Sequence, residues 1–220
     1  YPSQWGGDPQ ADWGGLAASI RGGLSWGLSG APYYATDVGG FYGDQRDPLL
    51  YVRWAQASVW SAHMRLHGIG PREPWSYGEE AERAAMAALE LRYRLLPYLW
   101  RAVQQASATG LPVQRAMALA CPGEPEAWGF DQQFFCGDDL LVAPCLHPSG
   151  RVRVYLPDGE WRRFPGGEPL AGGRSHELVL GLDEQAAFAR AGAEIPLGPA
   201  VAHTAELGSA PRVTEVWRAR

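Results

Sequence analysis

The chain has 220 residues, of which 46% are hydrophobic, and its formal net charge is −5 at pH 7. A chain of this length forms one large domain or two smaller ones, and its negative charge, with no basic cluster, excludes a nucleic-acid partner. No apolar stretch approaches the ~20 residues that cross a bilayer and no signal peptide is evident, so we expect a soluble, cytoplasmic protein with no membrane partner.

The first elements alternate between helix and strand. Apolar residues recur at intervals of three and four over residues 12–29, which predicts a helix that Asp12 can cap. Residues 31–36 are short and aromatic and favour a buried strand, which delivers Asp37 at its C-terminal end.

Two further helices are predicted. Asp47 followed by proline is typical of a cap and a first helical turn, and we expect residues 63–68 to end this helix. The longest helical run covers residues 79–109, and its first turn is acidic, where the helix dipole favours carboxylates. Pro97 should kink this helix or divide it in two.

The periodicity changes near Gly110, and short apolar or alternating segments follow. The pair Asp158-Gly159 predicts a hairpin turn between two of them. The predicted strands cover residues 112–119, 140–144, 152–156 and 161–164, and residues 213–217 are typical of the first strand of a further unit.

These elements predict an α/β part followed by an all-β part. Residues 1–110 are expected to form the C-terminal strands and helices of a (β/α)8 barrel, although an open doubly wound sheet shares the same alternation. We expect a β-sandwich domain over residues 111–198 and the start of a further β-domain over residues 199–220.

A tryptophan lies three positions before a carboxyl group in Trp5-Gly6-Gly7-Asp8, on a backbone that the glycines allow to bend sharply. A pyranose ring needs an apolar face to lie against and an acid beside its glycosidic oxygen, so Asp8 suits a proton donor in a partly apolar setting. An ordinary turn through Pro9 is the alternative interpretation.

Two other residues could complete a sugar site. Asp37 could be the second carboxyl group that retention of configuration requires, but an arginine partner or a helix cap explains it equally well. His67 could hydrogen-bond a sugar hydroxyl or be a satisfied histidine beneath a loop. With Asp8, both lie where a barrel strand would give way to a loop, which would gather them on one face.

The sequence does not indicate a metal or a cofactor. All 19 basic residues are arginine, which excludes a Schiff-base lysine and a P-loop lysine. His63 and His67 could share a helix face, but no third ligand is evident. The cysteines are odd in number and lack metal-site spacing, so we expect them to be small buried residues. They are Cys121, Cys136 and Cys145.

Ordered motifs along nearly the whole chain resemble glycoside hydrolase family 31. They cover residues 5–8, 21–25, 28–30, 37–41, 53–54, 65–68, 74–75, 95–99, 137–144 and 155–161. The resemblance implies a retaining α-glycosidase with Asp8 as the general acid/base and an oligosaccharide as substrate. Trp5 would wall the sugar subsite, His67 would contact the sugar, and Asp37 and Phe41 would line the pocket, with the aspartate more a supporting group than a catalyst.

The family's nucleophile is a different aspartate, on an earlier strand in a Lys-x-Asp motif that this chain does not contain. We therefore expect the chain to be the C-terminal part of a longer enzyme and to be inactive alone. Its motifs look most like those of bacterial α-xylosidases, which favours terminal α-linked xylose over glucose; α-glucosidase and transglycosidase activities stay open. A non-catalytic role also stays open. The chain could be a carbohydrate-binding module with Trp161 and Phe164 exposed, or its β-domain could be structural. For residues 111–198 we favour the structural role over binding.

Overall fold

The computed structural model describes residues 3–43, 46–208 and 213–216, the last four by their backbone alone. Helices and short parallel strands alternate in the first half, and antiparallel strands dominate the second. In these ranges, none of the helices combines the length and the apolar character that crossing a membrane requires.

Three parallel segments form the first part of the fold. Strand β1 (Ser3–Trp5) pairs in parallel with β2 (Tyr33–Ala35), and α1 (Trp13–Leu28) connects them. A parallel bridge between Asp37 and Arg65 adds a third extended segment next to β2. Because parallel neighbours joined by a helix are the repeating unit of a (β/α)8 barrel, this part has the expected barrel architecture.

Aspartate caps begin the first two helices, as predicted. Asp12 Oδ1 accepts a hydrogen bond from the backbone N–H of Gly15 at 2.6 Å. Asp47 Oδ1 accepts from Leu50 N–H at 3.1 Å before helix α2 (Pro48–Ser58), whose first residue is proline. Each cap satisfies an amide that the helix itself leaves unpaired.

Helix α2 ends earlier than the sequence indicates. Residues 63–68 were expected to end it, but this segment is extended and joins the parallel strands at Arg65. The carbonyl groups that follow the helix accept hydrogen bonds from Arg92, a buried residue of the long helix α3 (Glu79–Thr109). Its guanidinium donates to the carbonyl oxygens of Val59, Ser61 and Ala62.

Pro97 does not divide α3, which continues from Glu79 to Thr109. A proline inside a helix removes one backbone donor and disturbs the preceding turn. In that turn the carbonyl oxygen of Arg94 accepts a hydrogen bond from Gly198 N–H at 2.7 Å. The disturbed turn therefore packs on the chain that leaves the β-domain, and the helix continues beyond it.

Two antiparallel sheets form the body of the described β-domain, as expected for a β-sandwich. Six strands are ordered β3-β4-β5-β10-β7-β8, and β6 pairs with β9. A buried cluster that includes Phe135, Val154 and Phe188 draws on strands of both sheets. The elements are β3 (Gln114–Ala116), α4 (Met117–Ala120), β4 (Phe134–Cys136), β5 (Leu140–Val142), β6 (Arg151–Leu156), β7 (Glu160–Arg163), β8 (Pro169–Ala171), β9 (Arg174–Val179) and β10 (Ala187–Arg190). Single turns of 3₁₀ helix cover Pro74–Tyr77, Pro125–Gly129 and Thr204–Gly208.

The Asp158-Gly159 turn does not form the predicted hairpin. It joins β6 to β7, but β6 pairs with β9 whereas β7 pairs with β8 and β10. The turn therefore carries the chain from one sheet to the other. Local turn chemistry can reverse the chain direction, but the partner of β6 is β9, which lies beyond β7 and β8 in the sequence.

Trp161 and Phe164 are buried, so the expectation that they are exposed is wrong. The Trp161 side chain is 0% exposed, packs on Phe135 with ring centroids 5.8 Å apart, and donates through its indole N–H to Pro157 O at 2.7 Å. Phe164 is 3% exposed and meets Trp60 edge-on. Both rings belong to the core. All three cysteines are buried with free thiols, as predicted.

The last strand has a partner within this chain. Strand β11 (Glu194–Leu197) pairs antiparallel with β12 (Val213–Val216). The segment 213–217 was expected to open a further β-domain, and its Trp217 lies outside the described residues. The assignment of residues 199–220 to such a domain stays a prediction.

Polar side chains of α2 join the barrel part to the β-domain. Arg53 is 2% exposed and donates to the carbonyl oxygens of Leu180 at 3.2 Å, Gly181 at 3.0 Å and Glu184 at 3.0 Å. On the next turn, Gln56 Nε2 donates to Leu182 O at 2.7 Å. The helix thus holds the loop before β10 by its backbone.

We expect Arg53→Met to lower the free energy of unfolding by roughly 1 to 3 kcal/mol, because it leaves the buried carbonyl of Leu180 and two partly buried carbonyls without a donor. Urea denaturation measures the loss. The matched control is Arg151→Met on the exposed edge of β6, for which the change should stay within about 0.5 kcal/mol. Equal effects of the two substitutions would contradict the role given to Arg53.

Candidate functional site

The candidate residues lie at one edge of the fold, where the three parallel segments end. Trp5 ends β1, Asp37 follows β2 by two residues, and His67 follows the bridged Arg65 by two. Backbone hydrogen bonds continue the pairing beyond the strands, from Gly6 N–H to Ala35 O at 3.1 Å and from Val38 N–H to Arg65 O at 3.0 Å. Trp5, Asp37 and His67 therefore lie at or just beyond the ends of neighbouring parallel segments.

Asp37 is paired with Arg65. The arginine Nε and Nη2 donate to the two carboxylate oxygens, the second at 3.2 Å, and the aspartate side chain is 0% exposed. Of the explanations that the sequence left open for Asp37, the arginine partner is present. A carboxylate with no accessible surface cannot touch a sugar directly, so any contribution of Asp37 passes through Arg65.

Arg65 also contacts Trp5. Its guanidinium carbon lies 5.3 Å from the centre of the indole ring, and its side chain is 46% exposed. Trp5 itself is 53% exposed. A cation against one part of an indole leaves the remaining ring surface open to a ligand. The sequence analysis assigned no role to Arg65. Its position two residues before His67 could have indicated one, because residues two apart in a strand have their side chains on the same face.

Phe41 and His67 form a second contact at the same edge. Their ring centroids lie 5.5 Å apart with the planes inclined by 47°. His67 is exposed, and its ring therefore keeps polar atoms available to a ligand. Tyr42 meets Phe41 edge-on and is 48% exposed.

The backbone of Phe41 links the three loops. Its N–H donates to Pro9 O at 2.7 Å, and its carbonyl accepts from Ile69 N–H at 3.1 Å. Pro9 directly follows Asp8, and Ile69 lies two residues after His67. The positions of the Asp8 loop and the His67 loop are thus set relative to each other through one residue.

Asp8 follows Gly7, whose φ of 77° is in the left-handed region that glycine tolerates. The sharp bend expected of the two glycines is therefore present. The partly apolar setting expected for Asp8 is not, because its side chain is exposed and the described residues offer its carboxylate no hydrogen bond or ion pair. In this chain Asp8 faces solvent at the rim of the site.

Nothing in the described residues brings three histidine, cysteine or acidic side chains together as a metal ion would need. The imidazoles of His63 and His67 lie on an extended segment and not on the helix face that the sequence allowed. The cysteines belong to the hydrophobic clusters of the core.

Two family models match the chain. The glycosyl hydrolases family 31 TIM-barrel domain matches residues 1–102, and the glycosyl hydrolase family 31 C-terminal domain matches residues 110–195. An α-xylosidase of Saccharolobus solfataricus is 36% identical over 200 residues, and a probable glucan 1,3-alpha-glucosidase of Oryza sativa is 38% identical over 202 residues. These matches cover 88% and 89% of this chain but 27% and 22% of the relatives.

A solved structure shows the same fold. A family 31 dextranase of Flavobacterium johnsoniae, complexed with glucose, superimposes with a TM-score of 0.92 and 32% sequence identity. The match covers 98% of this chain and 28% of the dextranase. The chain therefore spans about a quarter of the length of the proteins that it resembles.

We expect Arg65→Met to destabilise the chain by about 1 to 3 kcal/mol, because it leaves the enclosed Asp37 carboxylate without a counter-charge; the half-exposed guanidinium keeps the cost below that of a fully buried pair. The double variant Asp37→Leu/Arg65→Met should recover a large part of that loss, because it removes the uncompensated charge as well. Denaturant unfolding of the two single variants and the double variant measures the coupling. Additive losses would show that the two side chains act independently.

Proposed function

The chain belongs to glycosyl hydrolase family 31, and on that premise we propose that it supplies the proton-donating side of the active site of a retaining α-glycoside hydrolase. The observation that carries the proposal is the Phe41 backbone, which ties the loop of Asp8 to the loop of His67. Because these hydrogen bonds fix the two loops relative to each other, the Asp8 carboxyl group and the His67 imidazole can approach the same sugar from two directions. A retaining glycosidase needs its acid held in this way beside the scissile oxygen.

In this proposal Asp8 is the general acid/base. It protonates the leaving oxygen in the first step and deprotonates the attacking water in the second. The carboxylate that the first step leaves is the base of the second, and the proton taken from water restores the acid. Pro9, whose carbonyl is bonded to Phe41 and Tyr42, restricts the loop directly after the acid.

The other residues bind and orient the sugar. Trp5 offers an exposed ring face, His67 donates or accepts a hydrogen bond to a hydroxyl, and Phe41 packs behind His67. Asp37 holds Arg65, and the guanidinium, half-exposed beside Trp5, is the group through which the aspartate acts.

The substrate of the proposal is an oligosaccharide with a terminal α-linked xylose or glucose. The similarity of the motifs in residues 5–8, 21–25 and 65–68 to those of α-xylosidases favours xylose. Transfer of the sugar to another sugar rather than to water uses the same covalent intermediate and is the alternative within the family. A carbohydrate-binding module loses its main support, because Trp161 and Phe164 are in the core.

The purified 220-residue chain should not hydrolyse aryl α-xylosides or aryl α-glucosides. Retention requires a second carboxylate about 5 Å from the acid, and Asp37, the other carboxylate that the sequence places here, is enclosed by its arginine. A sensitive fluorogenic assay tests this expectation. Turnover that disappears in Asp8→Asn would show that the chain carries its own nucleophile.

The role of Asp8 can be tested in a chimera that replaces the matching segment of the Saccharolobus α-xylosidase with this chain. We expect Asp8→Asn to lower kcat/KM for an aryl α-xyloside with a poor leaving group by about 10² to 10⁴-fold, the usual contribution of a general acid. The loss with α-xylosyl fluoride should be much smaller, because fluoride departs with little protonation.

The control for the chimera is Asp12→Asn, four residues further along. Asparagine caps a helix as well as aspartate does, so both substrates should react as in the parent. Equal losses with both substrates in Asp8→Asn would mean that Asp8 supports the fold and does not deliver a proton.

A further inference from the structure

The guanidinium of Arg72 lies beneath the loop that carries Phe41. The residue is 4% exposed, and its Nε donates to Gly40 O at 2.7 Å while its Nη2 donates to Gly43 O at 3.1 Å. These two carbonyls stand on either side of Phe41 in the sequence. The third bond, from Nη1 to Pro71 O at 3.0 Å, stays within the arginine's own loop.

The residues around Arg72 leave room for the guanidinium and hold its backbone. A methyl group on Gly68 would lie 2.9 Å from Arg72 Nε and 3.0 Å from Gly40 O, so this position accepts only glycine while the arginine is in place. Tyr51 OH donates to Arg72 O at 2.7 Å, and the Tyr51 ring stacks on Tyr77 with centroids 3.9 Å apart. The glycine directly after His67 is thus explained by the space that Arg72 occupies.

We propose that Arg72 is a positioning residue, which holds the Phe41 loop so that Phe41 lies against His67 and keeps the Asp8 and His67 loops in register. The proposal rests on the function proposed for this site, because Phe41 carries the backbone bonds to both loops. A rigid planar fork can hold two carbonyls at a fixed separation, whereas the single ammonium of a lysine cannot. Arg72 does not touch the sugar in this proposal and acts only through Phe41.

The chain contains a matched arginine for comparison. Arg92 is also buried and also donates to three backbone carbonyls, but those carbonyls follow α2 and lie next to His63 in the sequence. Arg92 Nη2 donates to the carbonyl of Ala62, directly before His63, at 3.0 Å, and burial followed by the charge of Arg92 lowers the pKa of His63. The signal of a histidine ring can therefore report on each arginine: His67 on Arg72, through Phe41, and His63 on Arg92.

The experiment is a proton–carbon NMR spectrum of the ring C–H groups of the five histidines in the whole chain, recorded at a pH well above the usual imidazole pKa. The His67 signal is assigned by His67→Gln. Phe41→Leu then defines the shift that results when the neighbouring ring is lost. We expect Arg72→Lys to move the His67 signal most of the way to its position in Phe41→Leu and to leave the His63 signal in place.

Arg92→Lys should do the reverse, with the His63 signal moving and the His67 signal unchanged. Should Arg72→Lys fail to fold, Tyr51→Phe removes the hydroxyl that anchors the Arg72 backbone and should shift His67 in the same direction by a smaller amount. A His67 signal that stays fixed in folded Arg72→Lys, or that moves equally in Arg92→Lys, would overturn the proposal. Because this readout needs no sugar and no turnover, its failure is distinct from a failure of Asp8 as the acid.

Discussion

The ion pair between the enclosed Asp37 carboxylate and the half-exposed Arg65 is the constraint on which the candidate site depends. A carboxylate without access to water is tolerated only when a cation and hydrogen bonds replace its hydration. The pair therefore fixes the register of β2 against the third parallel segment, since a shift by one residue would turn one of the charged side chains to the opposite face. His67 follows Arg65 by two residues, so its position at this edge depends on that register.

Backbone atoms then connect the loops that the ion pair brings together. The carbonyls and amides of the loops after the three parallel segments bond to one another, and Arg72 satisfies two further carbonyls from below. Loop backbone at a functional edge is usually left to water and moves accordingly. Here the polar groups have protein partners, which favours a rim that is arranged before a ligand arrives.

Those features that depend on neighbouring residues could be predicted from the sequence. The caps at Asp12 and Asp47, the long acidic helix start and the buried cysteines follow from local chemistry and composition. The gathering of Asp37 and His67 at one edge follows from the alternation of strand and helix.

Features that depend on distant partners could not be predicted in the same way. The exchange of sheets after Asp158-Gly159, the burial of Trp161 and the unbroken helix through Pro97 are each decided by residues far along the chain. The partners of Arg72 could not be predicted for the same reason, because nothing in the neighbouring sequence indicates which carbonyls it binds.

The hydrogen bonds of Arg53 to the carbonyls of Leu180, Gly181 and Glu184 have an evolutionary consequence. The loop before β10 is not free to vary in length as other surface loops do, because one inserted or deleted residue would offer the guanidinium the wrong oxygens.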